Sequence, residues 1–382
     1  MQPLMLFKLY LPIYRYIISM ILTYKYRIKD ATSRKALCAL SGKVNYVWNY
    51  VNEINKKSYV NYKQGSKSRF LSAFDINNLL KGTSKELGLH SQTIQNISES
   101  YVSNRKTNKK SWLNWRSKKR SLGWIPFKAS GFEWRNDKVI YQCKSYNIYL
   151  DRKLPEDAVI KTGSFNQDSC GRWFVNITFD TTSSAKHLMS NTSIGIDLGV
   201  KEVLTLSNGT SFHRSNSTKQ YEAKLALAQR ANKKRQICKL HSRVKNTRKD
   251  YYHKITSQIA KQFETIFIGD VKSQDIIDKS ITNLTKGVYD ASWFQIKNLL
   301  EYKANKLGGF YREVKESYTT QDCSSCRARC GPCGDKGLSI REWVCAQCGV
   351  SHRRDVNAAK NILRIGHNTL SKAKVLQRKP TA

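Results

Sequence analysis

Apolar residues recur along this chain with two different periods, and each period predicts its own kind of element. Residues 24–28 alternate as a short strand does. Leu37, Leu40, Val44, Val47 and Val51 instead repeat every three or four positions and predict a helix over residues 33–57, with Ser33 placed to cap it. Helical spacing continues over residues 58–104, broken by polar loops such as residues 63–67. Alternation returns at 132–134, 138–141 and 173–179 between Asn, Asp and Gly turns, so the N-terminal half reads as a small β barrel with a helical block inserted after its first strand. Residues 180–191 are polar and read as a linker. Beyond them come a strand at Ile194, another at 203–206, the hairpin signal Asn208-Gly209 and one long helix over 221–254. Strands at 265–271 and 311–317 then flank a helix at 291–305, which completes an α/β layer pattern with a mixed sheet.

The first 22 residues are apolar, but Lys8 and Arg15 interrupt them. The uncharged runs fall short of the ~20 residues of a membrane-spanning helix, and no small-residue cleavage site follows. Met20 directly precedes the first strand and is read as the translational start, with an appended apolar helix as the alternative.

Charge sharpens this picture. Lysine and arginine number 67 against 28 aspartates and glutamates, a formal net charge of +39. Such an excess attracts polyanions over a long range and binds them by counterion release, which points to nucleic acid and away from a membrane. Aromatics at 11% argue against a coreless basic tail, and 382 residues suffice for two or three domains. Two segments concentrate the basic residues. One carries Lys109, Lys110, Arg116, Lys118, Lys119 and Arg120 around Trp112 and Trp115, a mixture suited to phosphates and stacked bases. The other, residues 219–254, holds twelve lysines and arginines against Glu222 and Asp250 and reads as a phosphate rail; Arg230, Lys233, Lys234, Arg235, Arg248, Lys249 and His253 are its candidates. The plainer alternatives are a solvated loop anchored by its tryptophans and a solvated helix.

Six of the ten cysteines lie between Cys323 and Cys348. That clustering argues for metal ligation in a reducing compartment, hence a cytoplasmic protein, rather than a disulfide scaffold. Cys323-x2-Cys326 and Cys345-x2-Cys348 stand 18 residues apart, the spacing of a tetrahedral zinc ribbon. Cys330 and Cys333 form a third pair in a Gly-Pro-rich loop and are read as spare thiols. Two aspartates complete the candidate chemistry. Asp197 alternates with Ile196 and Leu198 on a strand, and Gly199 removes a side chain on the same face, which leaves room for a cation and a phosphate. Asp355 opens a helix immediately after the ribbon.

The run Gly195-Ile196-Asp197-Leu198-Gly199-Val200, the segment 248–254, Thr319-Thr320-Gln321-Asp322-Cys323-Ser324-Ser325-Cys326, Arg341-Glu342-Trp343-Val344-Cys345-Ala346-Gln347-Cys348-Gly349 and Arg354-Asp355-Val356-Asn357-Ala358-Ala359-Lys360-Asn361-Ile362-Leu363 together resemble the TnpB (OrfB) proteins of insertion sequences, over nearly the whole chain from Met20. The resemblance implies an α+β multidomain protein: a wedge-type β barrel (23–32 and 126–190), an inserted helical recognition domain (33–125), and a RuvC (RNase H-like) α/β nuclease domain (191–370) carrying a zinc ribbon (319–352), between an apolar extension (1–22) and a basic flexible tail (371–382). It further implies an RNA-guided DNA endonuclease. A guide RNA from the transposon end would pair with one strand of a double-stranded DNA target. One structural Zn2+ would sit on Cys323, Cys326, Cys345 and Cys348, and two Mg2+ ions, roughly 4 Å apart, on three carboxylates. Oligomeric state stays open.

Asp197 and Asp355 match two of the three acids that the resemblance implies. The third, usually a glutamate on the strand at 265–271, is replaced by Gly269. Asp270 is one residue away and so faces the opposite side of the strand. Glu316, at the end of the neighbouring strand, is the better candidate, and some branches of the family resemble this relocation. Two readings follow: an active nuclease using Asp197, Glu316 and Asp355, or an RNA-guided DNA-binding repressor that has lost cutting.

Overall fold

The computed structural model describes residues 18–65, 70–135, 138–183, 192–271, 292–337 and 339–377, and the chain divides into two compact units at Thr182/Ser183. Among the described residues, no helix is long and apolar enough to cross a membrane.

The first unit is built on a seven-stranded sheet in the order β2-β6-β7-β1-β5-β4-β3. β1 (Ile18–Ile28) starts upstream of the predicted position, because alternation extends backward: Leu22, Tyr24, Tyr26 and Ile28 turn inward while Ile21, Lys25 and Arg27 turn outward. Most of the expected N-terminal extension, residues 1–17, lies outside the described residues. Helices α1 (Ala31–Lys63), α2 (Ala73–Leu79), α3 (Thr83–Leu87) and α4 (Ser91–Thr107) then intervene before β2 (Trp124–Lys128). Asp30, not Ser33, caps α1: its carboxylate accepts from the Ser33 backbone N–H and hydroxyl, so the helix begins earlier than expected. β3 (Phe132–Arg135), β4 (Lys138–Tyr141), β5 (Lys144–Tyr149), β6 (Val159–Gln167) and β7 (Trp173–Ser183) complete the sheet through antiparallel pairings. Its core of Tyr26, Phe127, Tyr141, Tyr146, Phe165 and Phe179 is fully buried. β7 takes up the first residues assigned to a linker, and residues 184–191 are not among those described.

The second unit contains a five-stranded sheet in the order β10-β9-β8-β11-β12. β8 (Ser193–Asp197), β11 (Thr265–Gly269) and β12 (Phe310–Val314) run parallel, whereas β9 (Glu202–Leu206) and β10 (Ser211–His213) form an antiparallel hairpin. Gly209 supplies the left-handed backbone, φ +91°, that the hairpin turn needs. Parallel neighbours need long crossovers, and helices supply them. The expected single helix is two, α5 (Ser217–Arg230) and α6 (Lys234–Gln262), broken where Asn232 adopts φ +47°. α7 (Trp293–Lys306) precedes β12. A two-stranded ribbon of β13 (Glu342–Val344) and β14 (Ser351–Arg353) leads into α8 (Arg354–Gln377). That helix extends into the segment expected to be a flexible tail.

Candidate nuclease centre, metal knuckle and basic surfaces

Because β8, β11 and β12 are parallel, their C-terminal ends lie along one edge of the sheet, the usual place for a site in an open α/β sheet. Asp197 ends β8. In register beside it, Ile268 pairs with Ile196, and Gly269 pairs with Val314. α8 lies on the face of β8 that carries Gly195 and Asp197. A Cβ at Gly195 would fall on the Ala359 carbonyl oxygen and 2.6 Å from the Leu363 nitrogen, so this close approach requires glycine. Asp355 is one helical turn before Ala359, which brings it toward Asp197.

Asparagines fix the helix from the other side. Asn357 and Asn361, both about 1% exposed, donate from Nδ2 to the Asp322 carbonyl at 2.8 and 2.7 Å and to the Thr319 carbonyl at 3.2 and 2.9 Å. Asn357 Oδ1 also accepts from the Ser324 N–H at 2.8 Å. One side of α8 is thus latched to the start of the metal knuckle.

Glu316 follows β12 by two residues rather than lying on it. Its backbone N–H donates to Asp270 Oδ1 at 3.3 Å, and the Asp270 N–H donates to the Val314 carbonyl at 3.0 Å, so the chain turns back over β11. The carboxylate then fills the space above Gly269. A Cβ built there would fall on Glu316 Oε2, with Cδ and Cβ of Glu316 at 3.3 and 3.4 Å. Oε2 is buried without a hydrogen-bond partner. An orphaned buried carboxylate oxygen is the kind of donor a cation satisfies.

Electrostatics point the same way. Burial, then the negative charges of Glu316 and Asp355, push Asp197 up to about 8, with Arg354 opposing. Burial and Asp270 push Glu316 up to about 7 against the pull of Lys297. Crowded carboxyls that resist ionisation are a set that bound cations relieve. Asp355 is held differently, by Arg341 at 3.0 Å and Arg354 at 3.1 Å. The space expected beside Gly199 is absent: a Cβ there would sit 2.5 Å from the Glu202 carbonyl oxygen, so this glycine serves a backbone contact, not a ligand. Nor does Asp270 join Asp197; its carboxylate is engaged by the Glu316 backbone.

Among the described residues, the four outer cysteines are the one group of three or more metal-ligating side chains that converges, their sulfurs all within 4.8 Å of one another. Cys323 and Cys348 are 3.7 Å apart and Cys326 and Cys345 3.5 Å, near the ~3.8 Å that four Zn–S bonds of tetrahedral geometry require. The two knuckles repeat one backbone design. The Cys323 and Cys345 carbonyls accept from the N–H of Arg327 and Gly349 at 2.9 and 2.8 Å, and those two residues take φ +70° and +69°. Although burial works against it, hydrogen bonds from the Cys348 backbone and the Cys330 side chain draw the Cys345 thiol down to about 6. Cys330 is therefore not remote from the site, since its sulfur is 3.2 Å from that of Cys345; Cys333 is exposed. His352, buried beside Trp343, approaches Cys323 Sγ to 3.0 Å.

The basic surfaces divide by role. In the first unit, Asn45, Asn49 and Asn52 on one face of α1 zip the segment after α4 onto the helix, with Asn49 and Asn52 each exchanging two hydrogen bonds with the backbone of Arg116 and Leu113 at 2.8–3.0 Å. Arg116, read as a nucleic-acid contact, is spent on this anchoring: its Nε donates to Asn45 Oδ1 at 2.7 Å and Nη2 to the Leu122 carbonyl at 2.8 Å. Lys109, Lys110, Lys118, Lys119, Arg120, Trp112 and Trp115 remain exposed. Sequence reasoning missed the ledge beside them, where Phe70 stacks on Tyr59 at 5.4 Å, Arg105 covers Phe70 at 3.7 Å and Trp112 meets Tyr59. In the second unit Arg230, Lys233, Lys234, Arg235 and Lys249 are exposed, and Arg248 and His253 are half-buried.

Residues 176–279 match the OrfB_IS605 family, described as a probable transposase, and residues 293–362 match the family described as Cas12f1-like, TNB domain. Over 270 residues the chain is 30% identical to a protein of Streptomyces pristinaespiralis named "Putative RNA-guided DNA endonuclease", which covers 66% of this chain and 65% of that one. InsQ of Escherichia coli (strain K12), named in the same way, is 31% identical over 245 residues, 57% of this chain and 60% of its own. The chain thus matches under two thirds of the length of either relative. A structure titled "Cryo-EM structure of the Cas12f1-sgRNA-target DNA complex" shares the fold with a TM-score of 0.58 at 13% identity, covering 90% of this chain and 98% of that one.

Proposed function

We propose, from the premise that this chain is a member of the TnpB (OrfB) family, that it is an RNA-guided DNA endonuclease of an insertion sequence, working in the cytoplasm on double-stranded DNA with a guide RNA from the transposon end. The sheet order and the three parallel strand ends fit a RuvC (RNase H-like) layer, and the seven-stranded sheet with its helical insert fits a wedge and recognition pair. Asp197, Glu316 and Asp355 would hold divalent cations, Mg2+ in the cell, which activate water and neutralise the leaving oxygen. Cys323, Cys326, Cys345 and Cys348 would hold one structural Zn2+. The exposed lysines and arginines of both units bind phosphates without reading sequence, leaving sequence choice to base pairing.

One observation carries the nuclease reading: the Glu316 carboxylate occupies the position that a side chain at Gly269 would take. The loss of an acid on β11 would thereby be compensated from the turn after β12. The test is purification with bound RNA, sequencing of that RNA, and cleavage of a DNA library with randomised flanks, with and without Mg2+. Guide-dependent cutting that Glu316→Ala abolishes is expected; cutting that survives Glu316→Ala overturns the site.

The second reading, a DNA-binding repressor without cleavage, draws on the pairing of Asp355 with Arg341 and Arg354. A carboxylate committed to two guanidiniums is a weaker cation ligand. Guide-dependent DNA binding with no cutting at any Mg2+ or Mn2+ concentration would favour it.

A further inference from the structure

We infer that Lys297 is the positioning residue for Glu316, locking the relocated carboxylate over Gly269 by bracing the backbone that holds it. The inference rests on the reading of Glu316 as a cation-holding carboxylate.

Lys297 is 6% exposed on α7, and an ammonium ion is seldom buried without a dedicated partner. Its Nζ donates to Glu313 Oε2 at 2.7 Å and to the Val271 carbonyl at 3.1 Å. Glu313 belongs to β12, paired in register with Ile268, and Val271 follows directly on Gly269 and Asp270. One ammonium therefore ties α7 to the exits of both strands that frame the Glu316 carboxylate. The tie reaches Glu316 through the same stretch of backbone, because Asp270, next to Val271, accepts from the Glu316 N–H at 3.3 Å.

Relocation makes such a brace necessary. A carboxylate on β11 would inherit the rigidity of the sheet. Glu316 instead projects from a turn two residues past β12, with three side-chain torsions to fix and one oxygen left without a partner. Groups that orient the ligands of a metal site matter nearly as much as the ligands themselves. The other buried lysine of α7 gives the contrast. Lys303 donates to the His253 carbonyl, Thr256 Oγ1 and Ser257 Oγ at 2.6–2.8 Å and touches no carboxylate, so it pins α6 and nothing in the acid cluster. Lys297 does not touch the reacting atoms and acts through the two strand exits that it ties and through its charge near Glu316.

The test compares the full-length wild type with Lys297→Met, Lys297→Arg, Lys303→Met and Glu316→Ala. Mn2+ affinity of the nucleic-acid-free chain is read from the EPR signal of unbound Mn2+, and the Mg2+ dependence of cleavage is measured on the RNA-loaded protein. Lys297→Met is expected to weaken Mn2+ binding by roughly 10- to 100-fold and to raise the Mg2+ needed for half-maximal cutting by a similar factor, with DNA affinity unchanged. Lys297→Arg, which keeps the charge and donors, should recover most of the loss, and Lys303→Met should leave Mn2+ binding as it was. If Lys297→Met does not fold, Lys297→Gln is measured in its place, with the same loss expected. Wild-type Mn2+ affinity in Lys297→Met or Lys297→Gln while Glu316→Ala has lost it overturns the role of Lys297. Unchanged Mn2+ affinity and cutting in Glu316→Ala instead overturns the reading of Glu316 beneath it.

Discussion

Replacing Gly269 with alanine puts the relocated carboxylate to a direct test. The backbone there is ordinary strand, so alanine meets no conformational barrier, yet its methyl would land on Glu316 Oε2. The carboxylate must retreat by about 1 Å to reach contact distance, and a misplacement of about that size at a reacting centre costs on the order of 100-fold in rate. That is roughly 2.7 kcal/mol of transition-state stabilisation. Folding should hardly notice: the displaced atom ends a flexible side chain, and alanine gains about 0.4–1 kcal/mol by restricting the unfolded chain. Urea unfolding is therefore expected to match wild type within about 1 kcal/mol, while single-turnover cleavage of guide-matched DNA falls about 100-fold. The double variant Gly269→Glu with Glu316→Ala, which returns the acid to β11, should cut better than Gly269→Ala. Wild-type cleavage by Gly269→Ala would refute the reasoning, because the carboxylate cannot both yield its place and keep its function.

Further outcomes follow from the same geometry. A carboxyl whose pKa is raised on folding costs nothing below its unfolded value and the full amount above its folded one, so the cation-free protein should lose stability as pH climbs from about 4 through 8, the window set by Asp197 and Glu316. Asp197→Asn should then be more stable than wild type at pH 8, by about 1.4 kcal/mol for every tenfold by which folding weakens the acid, and no more stable near pH 4; urea unfolding in EDTA at both pH values checks this. Metal analysis should find one Zn2+ per chain, lost in Cys345→Ser and kept in Cys330→Ser. On the basic surfaces, Lys234→Ala or Lys249→Ala should each lower the salt slope of RNA binding by about 1, whereas Arg116→Ala should leave the slope and cost about 1.5–3 kcal/mol of stability through its lost hydrogen bonds.

What could be read in the sequence was local. The alternation of residues 24–28, the knuckles around the outer cysteines and the Asn208-Gly209 turn each specify their structure within a few residues, and each lies at the expected position. The break between α5 and α6 escapes a sequence reading because it uses Asn232 in a left-handed conformation rather than a glycine or proline. The cap goes to Asp30 instead of Ser33, as both are competent and the choice depends on where the preceding strand releases the chain. Harder to see are the asparagine latches. Asn52 meets its partner 61 residues away and Asn361 meets Asp322 39 residues away, and nothing in an asparagine's neighbours announces a distant carbonyl. Gly199 misleads for a related reason, since a missing side chain can make room for a ligand or for a neighbouring strand, and only the Glu202 carbonyl decides which.

The docking of α8 on Gly195 also sets an order of events during synthesis. Asp197 and Glu316 lie near one sheet edge, but Asp355 arrives with α8, which must settle onto β8 and form the Asn357 and Asn361 latch before the proposed set of three acids is complete. A chain made only as far as β14 carries Asp197, Glu316 and all four outer cysteines but not Asp355. Its basic residues 230–254 are already in place at that stage. Asp355 therefore joins the two strand-borne acids only after the ribbon before it has been made.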